Sequence, residues 1–328
     1  MKKNLKNKKI IRAIISLGLF LYNVITWGFM IYAVGSNKFL ESIKAKLIKR
    51  KKEKKENTDE FLDCEALKEE CEVKHWLNRA KVEEINLISK DDLKLYGRKI
   101  MKNQPNHKWV ITVHGYRTNG DFMNKYALRY YNRGYNVIIP DLRGHRKSEG
   151  KFIGMGWLDK DDIKLWIKYI INIDREAEIV LHGVSMGAAT VMMLSGDNLP
   201  DNVKVIVEDC GYTSVFDIFR SESRARFKIA HYPALILGSF LSKVCIGYSW
   251  FEASAIKQLK KNENIPMLFI HGDKDTFVPF YMLDKLYDAA ACEKKKLVIA
   301  GAKHAEADRT AGNYYWKCVF SFVNKYVN

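Results

Sequence analysis

Residues 178–194, EIVLHGVSMGAATVMML, decide the fold of this chain. The first six residues are an apolar run typical of a buried strand, and the residues after Met186 favour a helix. Between the two, Gly183, Ser185 and Gly187 form the pattern G-x-S-x-G. In such a strand-to-helix turn the serine has a strained backbone, and the small residues beside it let strand and helix approach closely. The stretch therefore predicts a nucleophilic serine at the carboxyl end of a strand.

Short apolar runs with the same character occur on both sides of this turn. Six of them indicate buried strands, and two β-rich runs that precede them indicate a hairpin: 82–89, 93–100, 109–115, 136–141, 178–183, 203–209, 266–272 and 296–301. Helical patterns separate the buried strands, most clearly at 157–172, where apolar residues repeat every three or four positions. This alternation predicts an α/β fold with a mostly parallel eight-stranded sheet, helices on both faces, and reactive groups at the carboxyl ends of the strands.

One long interval interrupts this alternation of strands and helices. About 50 residues separate the strand that ends at 209 from the one that begins at 266, which is too long for a plain loop. We expect several short helices that form a cap at about 212–262, over the carboxyl edge of the sheet. The interval is rich in aromatic and aliphatic residues, and we expect most of them to form the core of the cap.

A serine nucleophile needs a base, and the base needs a carboxylate that orients it. Asp273 and Asp275 lie on the loop that follows the strand ending at 272. His304 lies on the loop after the last strand, and it is the only one of eight histidines beyond these acids. The chain order serine, acid, histidine is that of a Ser-His-Asp triad on this kind of sheet. We expect Ser185, one of the two acids and His304 to be catalytic.

An oxyanion hole requires backbone N–H groups that point at the developing negative charge. We expect one from Met186, the residue after the nucleophile, and the other from Tyr116, in the loop after the strand ending in His114-Gly115. His114, His182 and His271 each end a strand beside a glycine, and we expect them to be structural.

The N-terminus contains the longest uncharged stretch of the chain, between Arg12 and Lys38. Its apolar part, residues 13–34, would span roughly 33 Å as a helix, enough to cross a bilayer core of about 30 Å. We expect a single transmembrane helix that contacts the lipid bilayer. A cleaved signal peptide is the alternative, because Ala33 and Gly35 have small-x-small spacing, but the apolar region is longer than such signals have.

The net charge of +17 is concentrated near this segment, since residues 1–60 hold 15 basic and five acidic side chains. The lysine-rich stretch that follows the apolar segment suits either an anionic membrane surface or a solvated spacer. Basic residues flank the segment on both sides, so the positive-inside rule leaves the orientation open. No zinc finger, helix-turn-helix or aromatic-basic pattern supports nucleic-acid binding. Six cysteines without a CxxC pair or zinc spacing indicate no metal, and nothing indicates a cofactor.

Four motifs resemble the α/β-hydrolase superfamily, specifically its bacterial serine-aminopeptidase-like and monoglyceride-lipase-like members with an N-terminal membrane anchor. They are VHGY at 113–116, DLRGHRKSEG at 141–150, HGVSMGAA at 182–189 and HGDKDTFVP at 271–279. In that family the acid lies four residues after the histidine of the last motif, so the resemblance selects Asp275 over Asp273. One departure is Arg146, where relatives usually have glycine; the position supports the loop rather than the chemistry.

The resemblance implies an α/β-hydrolase fold over residues 89–328. We expect four parts: a membrane anchor at 1–37, a basic juxtamembrane linker at 38–57, a helix and first strand at 58–88, and the hydrolase domain with its cap.

The sequence leads to the hypothesis of a serine hydrolase anchored in the cell membrane. The apolar cap and the anchor favour a lipophilic carboxylic ester, such as a monoacylglycerol or a lysophospholipid. The resemblance also permits an amide substrate, as in serine aminopeptidases, or acyl transfer to an alcohol. A non-catalytic membrane scaffold with this fold is the alternative from another class of protein.

Overall fold

The computed structural model describes residues 26–28, 30–47, 64–227 and 232–328. The strands are β1 (Val82–Ile88), β2 (Lys94–Ile100), β3 (Lys108–Val113), β4 (Asn136–Pro140), β5 (Glu178–Val184), β6 (Val203–Asp209), β7 (Met267–Gly272) and β8 (Lys294–Ile299). The helices are α1 (Asn37–Leu47), α2 (Cys64–Arg79), α3 (Asn124–Tyr131), α4 (Asp159–Ile173), α5 (Met186–Ser195), α6 (Val215–Phe227), α7 (Tyr232–Ile246), α8 (Ala255–Leu259), α9 (Tyr281–Ala289), α10 (Ala307–Ala311) and α11 (Asn313–Val323).

The eight strands form one sheet in the order β1-β2-β4-β3-β5-β6-β7-β8. β1 and β2 are an antiparallel hairpin, and β2 pairs antiparallel with β4; all remaining neighbours are parallel. The predicted mostly parallel eight-stranded sheet is confirmed. β8 begins two residues earlier than predicted, because an edge strand with one exposed face can include the lysines at 294–296.

Helices cover both faces of the sheet, as predicted. On one face Trp166 of α4 lies over Gly97 of β2, where a Cβ would come within 2.6 Å of the indole ring. On the other face the fully buried rings of Tyr130 and Tyr315 belong to α3 and α11. The central strands β3 to β7 are almost entirely buried between these layers, which explains why they are mainly apolar in sequence.

The cap between β6 and β7 contains α6, α7 and α8, with residues 228–231 outside the described part. Its interior is built around Trp250 and Tyr248, both fully buried, and Phe219 contacts Trp250 edge-to-face at 4.6 Å. The apolar residues of α7 depart from the expectation that most would form this core. Ile236, Phe240 and Val244 lie four residues apart on α7 and are 51%, 63% and 68% exposed.

Among the described residues, no helix is both long enough and apolar enough to cross a bilayer. Residues 13–25 and 29 of the predicted span lie outside the described part, as do 48–57 of the predicted linker and 58–63 before α2. The end of the predicted span is described and packs against protein: Met30 and Val34 are fully buried in the main core. Residues 30–34 are therefore part of the folded domain.

Trp166 fixes α4 to the sheet, and its removal tests the packing. We expect Trp166→Ala to lower the free energy of unfolding by about 3–5 kcal/mol, because a buried indole is lost and Gly97 cannot fill the space. Ile173→Ala, on the exposed end of the same helix, should change it by about 0.5 kcal/mol or less. Urea denaturation of both variants measures the difference; equal losses would contradict this account of the packing.

Candidate active site

The nucleophile turn has the strained backbone that the motif predicts. Ser185 lies between β5 and α5 with φ 58° and ψ −117°, a conformation that L-residues rarely adopt. A Cβ at Gly183 would overlap the backbone of Gly187, and a Cβ at Gly187 would overlap the carbonyl oxygen of Val113 on β3. Both glycines are thus required by close backbone contacts, and the strain at Ser185 exposes its Oγ at the carboxyl edge of the sheet.

The structure brings the three predicted catalytic side chains together. The Oγ of Ser185 donates to Nε2 of His304 over 2.8 Å, and Nδ1 of His304 donates to Oδ2 of Asp275 over 2.7 Å. Asp275 is buried on the loop after β7, and His304 lies on the loop after β8. The carboxylate fixes the tautomer in which Nε2 is free to take the serine proton.

Asp275 has the environment of an ionised carboxylate. Its Oδ1 accepts the N–H groups of Phe277 and Val278, each over 2.9 Å. Burial alone would raise the pKa of Asp275, but hydrogen bonds from His271 and His304 outweigh it and hold that pKa below its usual value. The other acid, Asp273, instead accepts the N–H of Gly301 over 2.7 Å and shapes the loop.

Two groups beside the acid were not expected from the sequence. His271, expected to be only structural, places Nε2 3.3 Å from Oδ2 of Asp275 and 2.9 Å from the carbonyl oxygen of Val278. It therefore helps to hold the acid that orients His304. The sulfur of Cys210, at the end of β6, lies within 4.8 Å of ligand atoms of Asp275 and His304. In sequence the signal for Cys210 is only its position at the carboxyl end of a strand, whereas His271 is also the first residue of the HGDKDTFVP motif.

The cluster of Cys210, Asp275 and His304 has donor atoms that could hold a metal, but its chemistry is that of a closed hydrogen-bonded group. Burial, with the neighbouring carboxylates Asp209 and Asp275, raises the pKa of the Cys210 thiol well above its usual value. A protonated thiol is a poor metal ligand. His304 and Asp275 already use their facing atoms on each other. We assign no metal to this cluster.

The predicted oxyanion donors lie on both sides of the nucleophile. Met186 is the first residue of α5, so its N–H has no acceptor within the helix. The N–H of Ser185 itself is used, because it donates to the carbonyl oxygen of Asp209 over 2.8 Å. Tyr116 follows Gly115, where a Cβ would lie only 3.2 Å from the Cβ of Ser185. The loop that carries Tyr116 is thus packed directly against the nucleophile.

A histidine of the DLRGHRKSEG motif supports that loop. Nε2 of His145 accepts the N–H of Arg117 over 3.1 Å, and Nδ1 donates to the carbonyl oxygen of Arg143 over 2.9 Å. Burial lowers the pKa of His145 to about 4, so the ring is neutral at physiological pH and can accept this bond. The next residue, Arg146, has a φ of 41°, which explains why relatives have glycine there, and its guanidinium pairs with Asp121 over 2.7 Å.

The other histidines at strand ends are structural, as expected. His114 is fully buried; its Nε2 accepts the N–H of Leu142 over 2.9 Å, and its Nδ1 donates to the carbonyl oxygen of Gly115. His182 is fully buried between the hydroxyl groups of Tyr130 and Tyr315, at 3.0 and 3.2 Å.

Ser185 opens into a cavity of about 540 Å³ between the sheet and the cap. Its walls are mainly apolar, with Met155, Ile218, Phe219 and Phe277 among the lining residues. Cavities of this size and character are typical of small-molecule sites. The arrangement can therefore hold an apolar group beside an activated serine.

Comparison with known proteins supports the fold described above. A family model described as "Serine aminopeptidase, S33" matches residues 104–208. The uncharacterized protein YqkD of Bacillus subtilis is 28% identical over 216 residues, covering 66% of this chain and 70% of that protein. The lysophosphatidylserine lipase ABHD12 of Danio rerio is 28% identical over 206 residues, covering 58% of this chain and 49% of that protein.

Among solved structures, the esterase Pf2001 of Pyrococcus furiosus superposes with a TM-score of 0.60 at 21% identity, covering 76% of this chain and 94% of that one. This is a likeness of fold. Together with the strand order, the G-x-S-x-G turn and the matching family model, it leads to one conclusion. The chain has the α/β-hydrolase fold and is similar in sequence to members of that superfamily.

Proposed function

We propose that this protein is a serine hydrolase that cleaves lipophilic carboxylic esters at a membrane surface. Ser185 attacks the carbonyl carbon while His304 takes its proton, and Asp275 orients the imidazole. The N–H groups of Tyr116 and Met186 stabilise the tetrahedral oxyanion. His304 then returns the proton to the leaving alcohol, and water hydrolyses the acyl-enzyme by the same steps. The hydrogen-bonded series from Ser185 to Asp275 is the observation that carries this proposal.

The preference for an apolar ester is supported by the cavity. Its lining is mainly apolar beside Ser185, which suits an acyl chain better than a charged peptide. Two comparisons point to ester chemistry by name, a lipase and an esterase, whereas the family model is named for aminopeptidases. Amide hydrolysis is therefore the second candidate.

The membrane location is supported by two apolar features. The first is the uncharged segment at 13–34, of which residues 32 and 33 line the cavity. The second is the exposed stripe on α7, formed by Ile236, Phe240 and Val244. The opposite face of α7 is lined by small residues: a Cβ at Gly238 would contact Trp250, and Ser242 donates to the carbonyl oxygen of Tyr248 over 2.9 Å. Apart from Leu235, the buried residues of α7 are small, and a helix that exposes its larger apolar residues in this way suits contact with lipid.

Labelling with a fluorophosphonate tests the nucleophile. We expect the wild-type protein to be labelled covalently and Ser185→Ala to remain unlabelled, because the probe phosphonylates only an activated serine. Ser223, a buried serine that lines the same cavity, provides the control. Ser223→Ala should label like wild type. Labelling of Ser185→Ala, or an unlabelled wild type, would refute the proposed mechanism.

A second pair of variants tests the acid. We expect Asp275→Asn to lower kcat for a p-nitrophenyl ester by about 10³–10⁴-fold, because the amide no longer holds the productive histidine tautomer. Asp273→Asn keeps the loop contact with Gly301 through its amide oxygen, and kcat should change by less than about threefold. Steady-state kinetics at matched active-site concentrations measure both. A larger effect at Asp273 would reverse the assignment.

The stripe on α7 is tested by comparing soluble and membrane-embedded substrates. We expect Phe240→Ser to lower kcat/KM for a monoacylglycerol in anionic vesicles by about tenfold, with less than a twofold change for a soluble short-chain ester. Ile173→Ser, at an exposed apolar position on α4, is the control and should affect neither substrate. Equal losses on both substrates for Phe240→Ser would show that the stripe does not act through the membrane.

A further inference from the structure

We propose that the end of the apolar N-terminal segment is part of the active site, where it positions the oxyanion donor and forms one wall of the substrate cavity. Residues 30–36 are called the docking segment, and residues 115–118 the oxyanion loop. This inference rests on the proposed function, because it assigns the docking segment a role in the same reaction.

The docking segment is joined to the domain by its backbone. The carbonyl oxygen of Val34 accepts the N–H of Ile153 over 2.7 Å, and the N–H of Ser36 donates to the carbonyl oxygen of Lys151 over 2.8 Å. The fully buried side chains of Met30 and Val34 add apolar contacts. Backbone hydrogen bonds and buried side chains therefore both attach the docking segment to the domain.

Two side chains of the oxyanion loop bind consecutive carbonyl groups of the docking segment. The hydroxyl of Tyr116 donates to the carbonyl oxygen of Ala33 over 2.8 Å, and Nη2 of Arg117 donates to that of Tyr32 over 2.6 Å. The Arg117 guanidinium also lies against the rings of Tyr32 and Tyr116, at 4.9 and 5.0 Å. Carbonyl groups in the last turn of a helix lack partners within the helix, so these donors satisfy them.

These contacts act on a loop that needs support. Arg117 has a φ of 55°, a left-handed conformation that a non-glycine residue keeps only when its surroundings impose it. His145 holds the backbone of Arg117 from one side, and the docking segment holds the side chains of Tyr116 and Arg117 from the other. An oxyanion donor must stay within about 0.5 Å of its productive position. The hydroxyl of Tyr116 thus acts as a positioning group for the N–H of the same residue.

The docking segment also contributes to the cavity itself. Tyr32 and Ala33 line the same cavity as Ser185, together with Ile218 and Phe219 of α6. Ala33 is almost completely buried, so a longer side chain there has only the cavity to enter. The residue at position 33 therefore limits the length of the group that the cavity accepts.

The positioning role is tested in the full-length chain with Tyr116→Phe, which removes only the hydroxyl that binds Ala33. We expect kcat for a p-nitrophenyl ester to fall about tenfold, with KM changed less than twofold. Affinity for a boronic acid, whose tetrahedral adduct with Ser185 mimics the intermediate, should fall by the same factor. Rates are expressed per fluorophosphonate-labelled site, so a loss of folded protein does not change the measured kcat. Tyr326→Phe, which removes a hydroxyl bond to Glu293 elsewhere, should leave kcat unchanged.

The cavity wall is tested with Ala33→Met and a series of ester chain lengths. We expect kcat/KM for a dodecanoate ester to fall at least tenfold relative to a butyrate ester, whereas Ala225→Met, at an exposed position on α6, keeps the wild-type profile. An active wild type with unchanged kcat in Tyr116→Phe and an unchanged profile in Ala33→Met would overturn this inference alone. A wild type that neither labels nor hydrolyses esters would overturn the proposed function, and this inference with it.

Discussion

The close contact of three backbones at the nucleophile turn is the constraint on which the site depends. Gly187 at the start of α5 touches the carbonyl of Val113 on β3, and Gly183 on β5 touches Gly187. Any side chain at either glycine would separate the helix from these two central strands. Because the carboxyl ends of β3 and β5 are adjacent, this contact also brings the oxyanion loop against Ser185. The strain in the serine backbone is tolerated because the packing around it leaves no other conformation.

Much of this architecture could be predicted from local sequence, because the central parallel strands are buried on both faces and are therefore mainly apolar. The members of the site could be named as well, since Ser185, Asp275 and His304 each follow a strand in a fixed order. The contacts that support these three residues could not be predicted from the sequence. His271 holds Asp275 through a loop whose path depends on Val278, and Tyr116 reaches a carbonyl 83 positions earlier in the chain. These two hydrogen bonds end on backbone carbonyl groups, which every residue has, so no pattern of side chains predicts them.

The apolar N-terminal segment shows a different limit of sequence interpretation. Hydropathy measures how readily a side chain leaves water, and it does not distinguish transfer into lipid from burial in a protein core. Residues 13–34 form one uncharged, mainly apolar run, and Met30 and Val34 at its end lie in the core of the domain. The burial of Met30 and Val34, together with the hydrogen bonds of residues 34 and 36 to the loop at 151–153, shows that the described end of this run belongs to the folded domain.

The cap shows the opposite case, because apolar side chains of α7 are exposed instead of buried. On α7, the small residues Gly238 and Ser239 pack against Trp250, whereas Ile236, Phe240 and Val244 lie on the outer face. Cys245 and Ile246 at the end of α7 line a surface pocket together with Phe39 of α1, just beyond the docking segment. The end of α7 and the first turns of α1 therefore line the same surface pocket. Covering the exposed stripe of α7 with an apolar partner would remove this surface from water, and the gain is about 0.8 kcal/mol for each methylene covered.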